Sequence, residues 1–236
     1  MKVTLTRITT NPILAIEEAA SNCYNSQPTG DGKIMHRCIK SGHTSVTEFC
    51  DFTFHIEGIS RALSHQLVRH RIASYAQRSQ RYCNEDGFDY ILPPTIEHNS
   101  AAELVYRKLM AQIQSTYKKL QQLDIPKEDA RMVLPNACET QLEVKMNLRS
   151  LMNFMNERLC SCAQWEIRCL AWKMKDAVVE QVPELLPYLV PKCEKNGQEF
   201  GACDETAERC CGRHPRREEV FRNHHNYKVV SSTSER

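Results

Sequence analysis

No run of apolar residues in this chain approaches the ~20 needed to cross a bilayer, so no membrane-spanning segment is expected. The opening MKVTLTRITTNP has neither the apolar core of a secretory signal nor the Arg- and Ser-rich pattern of a transit peptide. Charge of one sign is also missing overall. The net charge is +2 over 236 residues, which implies no global pull toward nucleic acid or membrane. No internal repeat is visible. No Gly-x-Gly-x-x-Gly follows a strand, so a Rossmann-type cofactor site is not supported, and no Gly-x-Ser-x-Gly elbow supports a serine nucleophile.

What is present is ordinary for a globular domain: 41% apolar and 25% charged residues. The length suits one domain with a sizeable core, or one domain plus a short appendage. Twelve cysteines are spread along the chain without an export signal, so reduced thiols in a cytoplasmic protein are expected rather than a disulfide framework.

Local patterns alternate between the two periods. Val3 and Leu5 against Thr4 and Thr6 read as a strand, and Asn11-Pro12 opens a helix with Pro at its first position. A second short helix stops near Ser41-Gly42. Phe52, Phe54 and Ile56 alternate with Thr53, His55 and Glu57 as a half-buried strand, and from Ile59 a helical period runs into an arginine-rich segment. A long helix over 101–123 carries Val105, Leu109, Ile113, Tyr117, Leu120 and Leu123 on one stripe, and Pro126 opens a short helix ending at Leu134-Pro135. Leu142, Val144 and Met146 mark another strand, and helices come next at about 148–160 and 165–181. Prolines 183, 187 and 191 end the last of these. Interleaved strands and helices give a mixed α and β class. Beyond Lys192 the periodicity vanishes, so residues 192–236 are expected to form a loosely ordered tail after a domain of residues 1–191.

Between Gly58 and Asn84 stand five arginines (Arg61, Arg69, Arg71, Arg78, Arg81) and two histidines, with no carboxylate and no lysine. Solvated faces usually mix both signs. The planar fork of arginine suits phosphate in two-pronged fashion, which a mere solubility patch has no need of. Ser64, Gln66, Ser74, Gln77, Ser79 and Gln80 add neutral donors suited to a phosphate and a nucleobase. On the residues alone two other readings stay open. One is an arginine-rich helix paired with acids such as Glu48 or Glu57; the other is a module that binds RNA or another polyanion.

Arg69-His70-Arg71, seven residues and then Ser79 resembles the RHR-x7-S signature of the flavin-dependent thymidylate synthases, and RHRIASYAQRSQRY is similar to that family's block nearly throughout. Gln66, the upstream His43-Thr44-Ser45 with Glu48, Ala130-Arg131 with Val133-Leu134-Pro135, and Asn147 to Phe154 closing at Arg158 fit in the same order. The resemblance covers about residues 1–190. One departure is Ala76-Gln77, where many members carry Asn-Glu; any role that needs a carboxylate there is lost.

The resemblance implies a single-domain α+β fold with a mixed sheet and long flanking helices. It implies methylation of dUMP to dTMP with FAD, NADPH and methylene-tetrahydrofolate, in a homotetramer with active sites at subunit interfaces and no nucleic-acid or membrane partner. Ser45, Arg69, His70, Arg71, Ile72, Gln77, Asn147, Arg149 and Asn153 would bind FAD. Gln66, Arg69, Gln77, Arg78, Ser79, Gln80, Arg81, Arg131 and Arg158 would bind dUMP, with Arg158 the catalytic group that stabilises charge on the uracil ring. At ~100° per residue Arg149 and Asn153 share a helix face while Arg158 falls opposite Arg149, so one helix would serve two sites or a shared one. Ser79 is assigned to binding rather than to nucleophilic attack, and Cys83 is a bystander. Cys193, Cys203, Cys210, Cys211 and His214 are zinc-ligand types, but their spacing is irregular, without a Cys-x-x-Cys pair, so no metal site is assigned.

Overall fold

The computed structural model describes residues 1–195 and 202–216. Residues 196–201 and 217–236, which take in much of the expected tail with His224 and His225, lie outside the described residues. Four strands form one sheet in the order β1-β2-β4-β3: β1 Lys2–Ile8, β2 Asp51–Ser60, β3 Ser74–Gln77 and β4 Glu139–Asn147. All three ladders are antiparallel, so the α+β class is as expected while the sheet is not mixed.

The alternation in β2 and β4 explains the pairing. Phe52, Phe54 and Ile56 lie opposite Met146, Val144 and Leu142, and all six are buried on one face. The other face is polar, with His55 Nδ1 at 2.7 Å from Glu143 and Lys145 bridging to Asp51 at 2.8 Å. The β2 register shifts between Ile56 and Ile59, around Gly58 at φ 69°. A Cβ there would stand 2.9 Å from the Met1 nitrogen, so the bulge also needs glycine for the close approach of the chain start. Beyond the bulge the parity changes and both Ile59 and Ser60 are buried.

Helices α1 Pro12–Tyr24, α2 Lys33–Lys40, α7 Leu148–Arg158 and α8 Trp165–Gln181 enclose the apolar face. The short α3 Arg61–Leu67 leaves β2 directly. Helix α5 Ser100–Gln122, with the short α4 Pro94–Glu97 and α6 Lys127–Ala130 packed on it, supplies Met110 to a second, small core with Phe88 and Cys138. Helix α9 Lys192–Lys195 comes after the last prolines. The expected stripe on α5 is buried only in part: Tyr117 is inside, whereas Val105, Leu109 and Leu123 are exposed. No helix among the described residues is long and apolar enough to cross a membrane.

Two buried carboxylates tie loops to this frame. Glu17 of α1 accepts from the Thr29, Gly30 and Ile34 nitrogens at 3.1, 2.6 and 3.2 Å, which satisfies the start of α2. Glu166 of α8 accepts from Ser60 N at 2.7 Å and from Ser60 Oγ at 2.6 Å, while Ser60 Oγ in turn caps α3 by accepting from Leu63 N at 2.9 Å. Glu166→Ala strands a buried N–H and hydroxyl, and is expected to lower the unfolding free energy by about 3 kcal/mol. Ser60→Ala, which loses the cap, should cost about 1 kcal/mol. Urea unfolding checks both, and equal midpoints for Glu166→Ala and the parent would remove Glu166 from this role.

Candidate active site

The arginine motif is not helical. Helix α3 ends at Leu67 because the chain tightens there: Arg69 N donates to Gln66 O and His70 N to Leu67 O. The Tyr75 hydroxyl donates to His70 O at 2.7 Å and to Leu67 O at 3.0 Å, pinning the turn from the far side. Burial pushes the Tyr75 hydroxyl up to about 12, so it stays a donor. The chain then pairs with β4 as edge strand β3, Ser74 opposite Lys145 and Gln77 opposite Leu142. The helical period expected to run into this segment stops at Leu67 and gives way to a turn and a four-residue strand, because pairing with β4 outweighs local propensity.

Arg69, Arg71 and Ile72 project from that turn, Ile72 being 75% exposed. Among the described residues neither Arg69 nor Arg71 has a side-chain hydrogen bond or ion pair. His70 points the other way. Its ring meets Phe154 edge-on at 4.9 Å, and Arg158 Nε donates to His70 Nε2 at 3.0 Å. Guanidinium cannot accept, so His70 Nε2 carries no proton and the ring is the neutral Nδ1–H tautomer. Burial, and then the Arg158 charge, hold the imidazole down at about 4. The last residue of α7 is thereby joined to the RHR turn.

The other predicted residues fall into separate places. Asn147 Oδ1 caps α7 by accepting from Ser150 N at 2.9 Å, and Arg149 bridges to Glu48 at 2.5 Å. Since Asp51 pairs with Asn147, the 3-10 turn Thr44–Phe49 with exposed Ser45 packs on the same corner. Arg149 and Arg158 do leave α7 toward different neighbours, and exposed Asn153 lies between them in sequence. At the opposite end of β3, Arg81 bridges to Glu128 at 2.6 Å and Arg131 donates to the Glu128 carbonyl at 3.1 Å. Ser79 Oγ accepts from Arg81 N at 3.2 Å.

Three residues of the expected substrate set turn inward. Arg78 pairs with buried Glu85 at 3.1 Å, and that hydrogen bond raises its already high pKa. It lines a polar cavity of about 270 Å3 formed with residues 84–89. Gln80 donates to Cys138 Sγ at 3.5 Å. Gln77 donates to Ser64 Oγ at 3.0 Å and Thr140 Oγ1 at 3.2 Å, a bracket between α3, β3 and β4. Gln66 is half-buried on α3.

Sequence reasoning missed Tyr75, Glu166 and Asn156. Asn156 is 6% exposed, and its Oδ1 is the buried side-chain oxygen that lacks a partner among the described residues. A Ser before a short helix signals the cap at Ser60, but nothing in the sequence marks Asn156 or pairs Ser60 with a residue 106 positions away.

A one-sided antiparallel sheet with uncompensated arginines in the turn before its edge strand defines an α+β protein with a cationic edge. Comparison with known proteins narrows this. A family model described as thymidylate synthase complementing protein matches residues 4–184. A flavin-dependent thymidylate synthase of Nitratidesulfovibrio vulgaris is 38% identical, covering 93% of this chain and 97% of its own length. That of Clostridium tetani is 39% identical over 89% of this chain and 93% of its own length; that of Sulfurisphaera tokodaii is 48% identical over 72% and 67%. The chain belongs to the flavin-dependent thymidylate synthase family.

Because the folded His70 binds its proton less readily than an unfolded histidine, its contribution to stability is complete above about 6.5 and is lost as pH falls toward about 4. Imidazole NMR should place His70 near 4. Arg158→Met should raise it only part of the way to 6.5, since burial is the larger cause. A His70 resonance titrating at 6.5 in the parent protein would refute the contact.

Proposed function

We propose that this protein methylates dUMP to dTMP reductively, with methylene-tetrahydrofolate as carbon donor and FAD as the flavin reduced by NADPH. The reading rests on the RHR turn, where two unpaired guanidinium groups flank a neutral histidine that orients a third. The donor set suits FAD, since a pyrophosphate asks for charge-assisted donors such as Arg69 and Arg71, and the exposed Ile72 between them and β3 offers an apolar surface to a ring. FAD supplies the hydride when bound and reduced.

The chain's own residues bind, orient and stabilise charge. Arg69 and Arg71 hold anionic oxygens. Ser45, Asn147, Arg149 and Asn153 offer neutral and charged donors at the adjoining corner, and Ser79, Arg81 and Arg131 form the phosphate side for dUMP. Arg158 spends Nε on His70, and among the described residues its two terminal nitrogens have no protein partner. Because His70 is neutral, Arg158 keeps its full charge for oxygens on the uracil ring, where negative charge grows during reduction.

Each polar group has an exposed apolar neighbour: Phe49 at 65% beside Glu48, Ile72 at the RHR turn, and Met132 at 81% beside Arg131. This supports a homotetramer in which the groups of neighbouring subunits complete each site. Sedimentation should give a tetramer, and a monomer that retains turnover would oppose this arrangement.

Purified protein should be yellow, and its flavin absorption should bleach when NADPH is added without oxygen. Tritium release from uracil-labelled dUMP should require FAD, NADPH and methylene-tetrahydrofolate together. Arg158→Ala should keep FAD but lose about 100-fold or more of that release. A colourless protein that takes up neither FAD nor dUMP would leave the arginines to a binding module.

A further inference from the structure

Six of the twelve cysteines line one cavity of about 460 Å3 at the end of α7: Cys160, Cys162, Cys193, Cys203, Cys210 and Cys211. They come from two stretches far apart in the chain: the loop between α7 and α8, and helix α9 together with residues 202–216. Hydrophobic packing does not account for this gathering, because the 202–216 stretch adds only Ala202 and Cys203 to the buried set. Polar ties hold it instead. Cys162 Sγ lies 3.2 Å from Arg209 O, Lys192 bridges to Asp204 at 3.1 Å and Arg213 to Glu194 at 2.7 Å. Cys203 N donates to Pro215 O at 2.7 Å, closing 203–215 into a loop.

Within the cavity, the ligand atoms of Cys160, Cys162 and Glu205 all lie within 4.8 Å of one another. Two sulfurs and a carboxylate oxygen at this spacing suit the vertices of one tetrahedral ion, whose bonds are about 2.0–2.3 Å long. The thiolates of an iron–sulfur cubane stand on separate irons and need a wider arrangement. Asn156, whose buried Oδ1 has no partner among the described residues, also lines the cavity. Arg158, Arg168, Arg209 and Arg213 also line it, and are placed to offset anionic ligands.

We propose that Cys160, Cys162 and Glu205, with a water molecule completing the tetrahedron, hold one zinc-class divalent cation that clamps residues 202–216 to the loop after α7. Binding expels two thiol protons to solvent and changes no oxidation state. The product, two thiolates and one carboxylate on a dication, carries a charge of −1 that the lining arginines offset. The set differs from the one that spacing in the chain suggests. His214 does not line the cavity and offers only its carbonyl to Cys210, while the Cys160-Ser161-Cys162 pair carries no zinc-type spacing of its own.

The test uses the full chain purified without chelator and reads metal directly, so it stands apart from turnover. Elemental analysis should find about one zinc per chain. Cys160→Ser with Cys162→Ser, and separately Glu205→Gln, should reduce zinc content at least severalfold. Cys23→Ser with Cys169→Ser, outside the cavity, should not change it. Should the double variant fail to fold, cobalt added to metal-stripped parent protein replaces it: a tetrahedral cobalt–thiolate spectrum supports the site. Metal-free protein with no cobalt–thiolate band overturns the proposal. So does iron accompanied by inorganic sulfide, or a disulfide joining Cys160 to Cys162.

Discussion

The grip of Glu166 on Ser60 is the contact that sets the candidate site in place. At Ser60 the chain leaves a buried strand and starts a seven-residue helix, and that switch exposes backbone donors inside the core. A carboxylate delivered by α8 satisfies the Ser60 nitrogen and hydroxyl together, and the hydroxyl then caps α3. Each group lacks a cheap alternative once water is excluded, which makes the junction cooperative. With α3 so anchored, the turn after Leu67 has one position available beside β4, and the arginines emerge from it.

Charge is distributed unevenly around that turn. Arg78, Arg81 and Arg149 each face a carboxylate at 2.5–3.1 Å, so their fields are largely cancelled. Arg69, Arg71 and Arg158 are left without one among the described residues. Three guanidinium groups without a counter-ion among the described residues thus gather where α3, β3 and the end of α7 meet. His70 lets Arg158 take part without a counter-ion, since a neutral imidazole orients the guanidinium without neutralising it.

Both ends of α7 bear on function through their neighbours. Its start is capped by Asn147, which β4 positions opposite Asp51. Its end lies between the His70 contact and the cysteine-lined cavity, so the placement of Arg158 is sensitive to the order of the 159–164 loop. A clamp on that loop would act on the site by restricting how the helix end moves.

Elements with local signals were legible in the order of the residues. Alternation at Phe52–Ile56 and Leu142–Met146 dictated the two central strands, Pro12 the first helix start, and the ordered motifs from His43 to Arg158 the family. Helix pitch is indifferent to context, so the separation of Arg149 from Arg158 could be read as well. Which arginines are free could not. Arg71 and Arg78 look alike in the chain, yet one projects unpaired while the other closes on Glu85, and that difference depends on where residue 85 is carried by a separate fold of backbone. Likewise β3 exists because β4 offers it a ladder, and six thiols converge because the loop after α7 meets the distant segment that holds α9 and residues 202–216. Such outcomes rest on pairings across long stretches of chain, and no local period encodes them.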